Sequence, residues 1–438
     1  MSAPGSGPAA AADGTRRRPS RRMVRTVTVV ASCLAVLAAA VVAGVRILGQ
    51  EPTVTLLANW TDQDARYFRE AVIDPFERRY HVHVDYQGSS AESQVLSADV
   101  EAGTPPDVVV LTGPGELAAY AAQKKLEPLE KLVPQGDFSD SWATPLEGHV
   151  YWFPLKADLK SIVWYPGRLT EEQQRKEAAR RPGQWCLGMG SGATSGWPGT
   201  DWIEDILLQQ YGPQTYERWA RGELPWQSKE VKGAWTTWRD MVGAGGSRDL
   251  VLRALRTEYQ KASEPAAADP PRCTLEHQAS FVRTYQRWED LNGSYEPSYR
   301  LIPRATARNT WEVSGDLVAL LHGTPQARKL IRHLASAGAQ RAWNAKESGF
   351  SVDTAAQPAA DSTAPWHRSL ARTLVDPDAV HCFDASDAMP PAVRDAFAEA
   401  TIDFLADPHD LDTLLKNLDS LRGDEELTWL PSVCDHGS

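Results

Sequence analysis

Between residues 53 and 124 three short apolar runs alternate with three helical stretches, and this rhythm limits the fold more than any other feature of the 438-residue chain. TVTLLA at 53–58 reads as a strand. Residues 62–80 follow as an amphipathic helix, with Phe68, Val72 and Phe76 on one face. HVHVDY at 81–86 alternates as a strand, and Gly88-Ser89-Ser90 turns into a helix near 91–102. DVVVL at 107–111 is fully apolar, as a strand buried on both faces of a parallel sheet must be. Thr112-Gly113-Pro114-Gly115 then opens a helix at 116–124. The repetition predicts an α/β lobe around a parallel sheet. Ligands bind such lobes beyond the carboxyl ends of the strands, here Asn59-Trp60-Thr61-Asp62, Ser89-Ser90 and Thr112 to Gly115.

Further along, residues 149–165 read as two strands across a link, and 201–290 as mostly helical around an exposed loop at 263–271. Leu317 to Leu321 precedes a helix that Thr324-Pro325 opens and that runs to about 336. A Pro/Ala/Ser/Thr linker at 353–365 leads to helices at about 391–406 and 409–421.

The N-terminus is an address rather than part of the fold. Residues 1–25 form a disordered basic tail, and Arg16, Arg17, Arg18, Arg21, Arg22 and Arg25 precede an uncharged stretch from Thr26 to Val45. That run is long enough for one bilayer crossing, so residues 26–48 are expected to span the membrane. The Arg cluster then stays in the cytoplasm and the body is exported. The span serves equally as a cleaved signal or a retained anchor, and Ser20-Arg21-Arg22 resembles a twin-Arg signal. Too little apolar sequence precedes Cys33 for lipidation there.

The formal charge is −11, and residues 1–50 hold seven Arg against one Asp, which leaves the remainder at −17. A body that acidic repels phosphate backbones, so nucleic acid is excluded as a partner. Four cysteines lie in the exported part: Cys186, Cys273, Cys382 and Cys434. Three disulfide connectivities are open, with Cys186–Cys273 and Cys382–Cys434 favoured. The alternatives are free thiols, or a zinc set of His381, Cys382, Cys434 and His436 whose spacing fits no common finger.

WCLGMGSGATSGWPGTDWIED at 185–205 is the stretch richest in functional signal. Gly188, Gly190, Gly192, Gly196, Pro198 and Gly199 make an irregular loop that carries Trp197 and Trp202. Asp201 followed by Glu204 reads as a helix N-cap with its reciprocal carboxylate. Aromatics on such a loop suit a flat hydroxylated ligand, because the ring covers the C–H face of a sugar while polar groups serve its hydroxyls. A buried Trp pair closing a turn is the competing reading.

Taken with NWTDQDARYF (59–68), AGTPPDVVVLTGPGEL (102–117), FPLKADLKSIVWY (153–165), CTLEHQASFV (273–282), VSGDLVALL (313–321) and FDASDAMPPAV (383–393), this stretch resembles the extracellular solute-binding proteins of ABC sugar importers, especially their α-glucoside-binding branch. The resemblance covers nearly all of residues 52–435. It implies an α/β periplasmic-binding-protein-like fold, two lobes joined by a hinge and closing on an oligosaccharide or glucoside. It further implies ABC permease subunits as partners; a monomer attached to the membrane through the N-terminal helix, with neither cofactor nor metal, is expected, although family members usually end their leader with a lipidated Cys or a clear cleavage site and this chain does not. The expected lobes are discontinuous: 52–156 and 306–355 in one, 157–305 and 356–438 in the other.

By position, the expected site residues are Trp60, Asp62, Ser90, Gly113, Lys156, Trp197, Asp201, Trp202 and His277. Trp60 and Trp197 would stack on sugar rings from opposite lobes, while Asp62 and Lys156 bond hydroxyls. Against this, Asp62 suits a helix cap, and His277 and Trp202 suit a core. Arg300, Arg304 and Arg308 either favour acidic sugars or pair with surface acids. Two further functional classes remain: a membrane-anchored carbohydrate sensor, and an exported glycoside hydrolase with two carboxylates roughly 5–9.5 Å apart.

Overall fold

The fold is that of a computed structural model, which describes residues 51–133, 138, 141–284, 286–345, 349–357, 365–424 and 426–435. The expected basic tail, the span at 26–48 with Cys33, the linker residues 358–364 and His436 lie outside the described residues. Among the described residues, no helix is long and apolar enough to cross a membrane.

Strands β1 (Thr53–Ala58), β2 (His83–Gly88) and β3 (Val108–Leu111) run parallel with β1 in the middle. The expected helix at 62–80 forms as two α-helical pieces, Asp62–Phe68 and Asp74–Tyr80, joined by a π-helical turn at Arg69–Ile73. Pro75 lacks the N–H that an unbroken α-helix needs, and the wider turn before it absorbs the missing bond. Phe68, Val72 and Phe76 still form its buried face. His81 ends the helix in the left-handed region at φ 50°, which delays β2 by two residues.

β4 (Trp152–Leu159) extends this sheet and β5 (Ile162–Tyr165) begins another, so the chain leaves the large sheet at Lys160-Ser161. β5 is the centre of a three-stranded antiparallel sheet with β6 (Glu276–His277) and β7 (Ser294–Pro297). The chain returns through β8 (Thr310–Leu320), antiparallel to both β3 and β4, and β9 (Val380–Phe383) pairs with the start of β8. The large sheet therefore has six strands, in the order β2-β1-β3-β8-β4 with β9 beside β8.

Two expectations change here. β8 begins at Thr310 rather than Leu317, its first half carrying the alternation Thr310, Glu312, Ser314, Asp316 that hides it among polar residues. The segment 356–438 supplies a strand as well as the expected helices.

The period of two divides the sheet between two cores. Val54, Leu56, Ala58, Val108 and Val110 pack with the helices that bear Phe68 and Leu330, whereas Leu57, Val109 and Leu111 join the core that continues under Trp202 and Trp235. The fold is α/β, built on a six-stranded and a three-stranded sheet. The cysteines pair as Cys186–Cys273 and Cys382–Cys434, which removes the free-thiol and zinc readings. His381 instead makes contacts with the Thr373 carbonyl and Asp435.

Candidate functional site

β4 places Lys156 and Asp158 two residues apart, hence on one face, and Lys160 follows directly beyond its end. Lys156 lies in register with Asp316 across β4 and β8. Its Nζ is 3.3 Å from Asp158 Oδ2 and 3.8 Å from Asp316 Oδ2. Both carboxylates are held by further donors. Asp316 accepts from Asn59 Nδ2 at 2.6 Å and Trp60 Nε1 at 3.0 Å, and Asp158 accepts from Ser280 Oγ at 2.7 Å. Burial alone would lower the Lys156 ammonium, but Asp158, Asp316 and Asp64 outweigh it and hold it above the ordinary lysine value. Burial raises Asp158 and Asp64 against the pull of Lys156.

Three half-buried rings adjoin this group. Trp197 meets Tyr259 edge-on at 4.8 Å between centroids, and Phe281 lies 6.2 Å from each. Lys156 Nζ is 5.8 Å from the Phe281 ring and Lys160 Nζ 5.9 Å from the Trp197 ring. Trp197 is fixed by the start of its own helix, Trp197–Tyr211, which Gly196 caps at φ 106°. A Cβ on Gly196 would stand 2.3 Å from the Ala398 carbonyl oxygen, so only glycine allows that start. The result is an apolar ring platform beside a charged hydrogen-bonding set, suited to a ligand with both C–H faces and hydroxyls.

Several expected roles need correction. Trp60 is 4% exposed, packed against Phe68 at 4.6 Å and Trp343 at 5.1 Å, so its ring is core and only its N–H reaches Asp316. Trp202 is buried between Trp185 and His277. His277 pairs with Asp205 at 2.7 Å, which makes it a core histidine. Asp201 is no cap, because Pro198 fits the first turn and the helix starts five residues earlier than expected. It is buried instead against Lys160, 2.8 Å away.

Asp62 and Ser90 are exposed, Asp62 at the first helical residue after Thr61, and Gly113 caps the helix Pro114–Ala122 beside Arg394. Arg304 donates to Thr237 and Arg308 lies over Tyr299, so neither joins the Lys156 set. Asp158 was signalled by strand spacing from Lys156. Asp64, Asp316, Tyr259 and Phe281 come to the site only through tertiary pairing.

A surface cavity of about 440 Å³ beside the Cys186–Cys273 bond, lined by Arg253, Lys261, Arg272 and Arg287 among others, involves none of these groups.

The chain matches the bacterial extracellular solute-binding protein family over residues 59–341. It is 29% identical over 390 residues to the α-glucosides-binding periplasmic protein AglE of Rhizobium meliloti, covering 81% of this chain and 83% of that one. It is 28% identical over 295 residues to the osmoprotective compounds-binding protein GgtB of Synechocystis, covering 61% and 68%. Its fold matches the solved structure of the bacterial solute receptor AcbH, described as preferring β-D-galactopyranose, with a TM-score of 0.69 at 15% identity, over 85% of this chain and 98% of that one.

Proposed function

The chain belongs to the bacterial extracellular solute-binding protein family, and from that premise we propose that its solute is a sugar or short oligosaccharide of the α-glucoside kind, delivered outside the cytoplasm to an ABC-type permease. The observation that carries this reading is the Trp197–Tyr259–Phe281 platform set against Lys156, Asp158 and Asp316. Rings cover the C–H face of the sugar, and the charged groups bond its hydroxyls more strongly than neutral ones do. The relationship to AglE favours α-glucosides within that class.

Binding is favoured over hydrolysis by the same geometry. Asp158 and Asp316 share one ammonium and already accept side-chain donors, so neither stands as an uncommitted acid or nucleophile. Three carboxylates, Asp64, Asp158 and Asp316, act on Lys156, which disfavours acidic sugars.

The proposed lobes are 52–156 with 306–355, and 157–305 with 356–438, in a monomer whose residues 26–48 are either retained as a membrane anchor or cleaved as an export signal. Calorimetry of the purified protein against a panel of α- and β-linked glucosides, galactosides and uronides tests the reading. Saturable 1:1 binding of a neutral sugar is expected. Release of reducing ends from a glucoside, or binding of uronides alone, contradicts it.

A further inference from the structure

Behind the ring platform, the helix Trp197–Tyr211, strand β8 and the residue following β9 converge on Lys160. Asp201 and Glu204 come from the helix, Glu312 from β8, and Asp384 from the chain after β9. None of the four carboxylates is more than 2% exposed, and Lys160 is 5% exposed. Lys160 Nζ bonds Asp201 Oδ1 at 2.8 Å and Asp384 Oδ2, and stands 4.0 Å from Glu312 Oε1. Glu204 Oε2 accepts the Ala385 N–H at 2.7 Å.

Asp384 Oδ1 accepts from Ser386 Oγ and from the Asp387 N–H, each at 2.8 Å. Asp201 Oδ2, Glu204 Oε1 and both carboxylate oxygens of Glu312 have no hydrogen-bond partner among the described residues. The fully buried Glu312 is aimed into the cluster, where oxygens of Asp201, Glu312 and Asp384 lie within 4.8 Å of one another. Four buried oxygens left without donors are costly in a low-dielectric interior. Were all four carboxylates ionised, the one ammonium would leave three negative charges uncompensated.

We propose that Asp201, Glu312 and Asp384, with Glu204 beside them, form a binding site for a hard divalent cation, calcium first among them. All-oxygen carboxylate donors select hard cations over zinc or copper, which favour nitrogen and sulfur. Calcium tolerates irregular geometry and takes carboxylates one or two oxygens at a time, whereas magnesium demands a regular octahedron and keeps its waters. The four oxygens without donors, on Asp201, Glu204 and Glu312, are available while the Lys160 bonds persist, and Asp384 adds a second lone pair on an oxygen that already accepts a donor. The cation ties the helix that presents Trp197 to β8 and to the chain leaving β9.

The test uses chelator-stripped purified protein, titrated by calorimetry with calcium, magnesium and manganese chlorides and melted with and without each. One calcium per chain and a rise of several degrees in melting temperature are expected. Glu312→Gln should bind calcium about tenfold more weakly or worse, with the melting shift lost. If protons rather than a metal neutralise the cluster, Glu312→Gln melts above the wild type and neither responds to calcium, which overturns the proposal. Undiminished binding by the variant overturns it as well, because the ion then sits elsewhere. Asp201→Asn replaces Glu312→Gln should that variant fail to fold, and wild-type protein that takes up no ion at millimolar concentration refutes the site directly.

Discussion

Lys156 and Asp316 face each other in register across β4 and β8, with Nζ 3.8 Å from Oδ2. Asp316 is also where Asn59 and Trp60 direct their N–H groups, so one carboxylate joins the end of β1 to the cation of the site. Asp316→Ala leaves the buried Trp60 N–H unpaired and frees Lys156 of one partner. Sugar affinity should fall by about 1.5–3 kcal/mol, roughly 10- to 150-fold, with a measurable loss in melting temperature. Calorimetry on the variant checks it, and unchanged affinity contradicts the placement of Asp316 at the site.

Trp60 behaves as core. Trp60→Ala should destabilise the fold by about 3–5 kcal/mol, as expected for removal of a large buried aromatic. Denaturant unfolding measures this. A variant with wild-type stability would show that the packing with Phe68 and Trp343 carries no weight.

Glu276 gives a pH signature. It is buried, accepts the Trp288 N–H at 2.6 Å, and burial, opposed by that bond, pushes its carboxyl from 4.5 up to about 8. The folded state therefore holds a proton that the unfolded chain releases between these values. The stabilising contribution is complete below the unfolded value and is lost as pH rises through about 8. The slope is at most about 1.4 kcal/mol per pH unit. Glu276→Gln should flatten this part of the stability profile, and parallel wild-type and variant profiles between pH 4.5 and about 8 count against it.

The disulfides close sequence separations of 87 and 52 residues. On the chain-entropy account each stabilises by about 4–5 kcal/mol. Replacing either pair by serines should lower the unfolding midpoint accordingly, and an unshifted midpoint contradicts the estimate.

The sheet was readable because strands such as DVVVL are apolar throughout, and the helix face Phe68, Val72, Phe76 keeps its period through the π turn. Trp197, Trp202 and Trp60 show the limit of that reading. A tryptophan beside glycines has the same local pattern whether its ring lines a site or fills a core, and only packing separates the half-buried Trp197 from Trp202 on His277. Asp62 and Asp64 lie on one helical turn, and it is Asp64 that feels Lys156. Asp316 hides in the polar alternation of β8 until β4 pairs with it. Glu312 looks like a surface residue in sequence and is fully buried beside Lys160.

The central claim is that the Trp197 platform with Lys156 grips a neutral sugar, and paired calorimetry and melting of Trp197→Ala test it most directly. A disaccharide of about 23 heavy atoms at roughly −0.3 kcal/mol per atom should bind the wild type with a dissociation constant on the order of 10 µM. Trp197→Ala should weaken that by roughly 2 kcal/mol or more while the ligand-free melting temperature changes little. A variant that melts early yet binds every sugar as the wild type does would contradict the account.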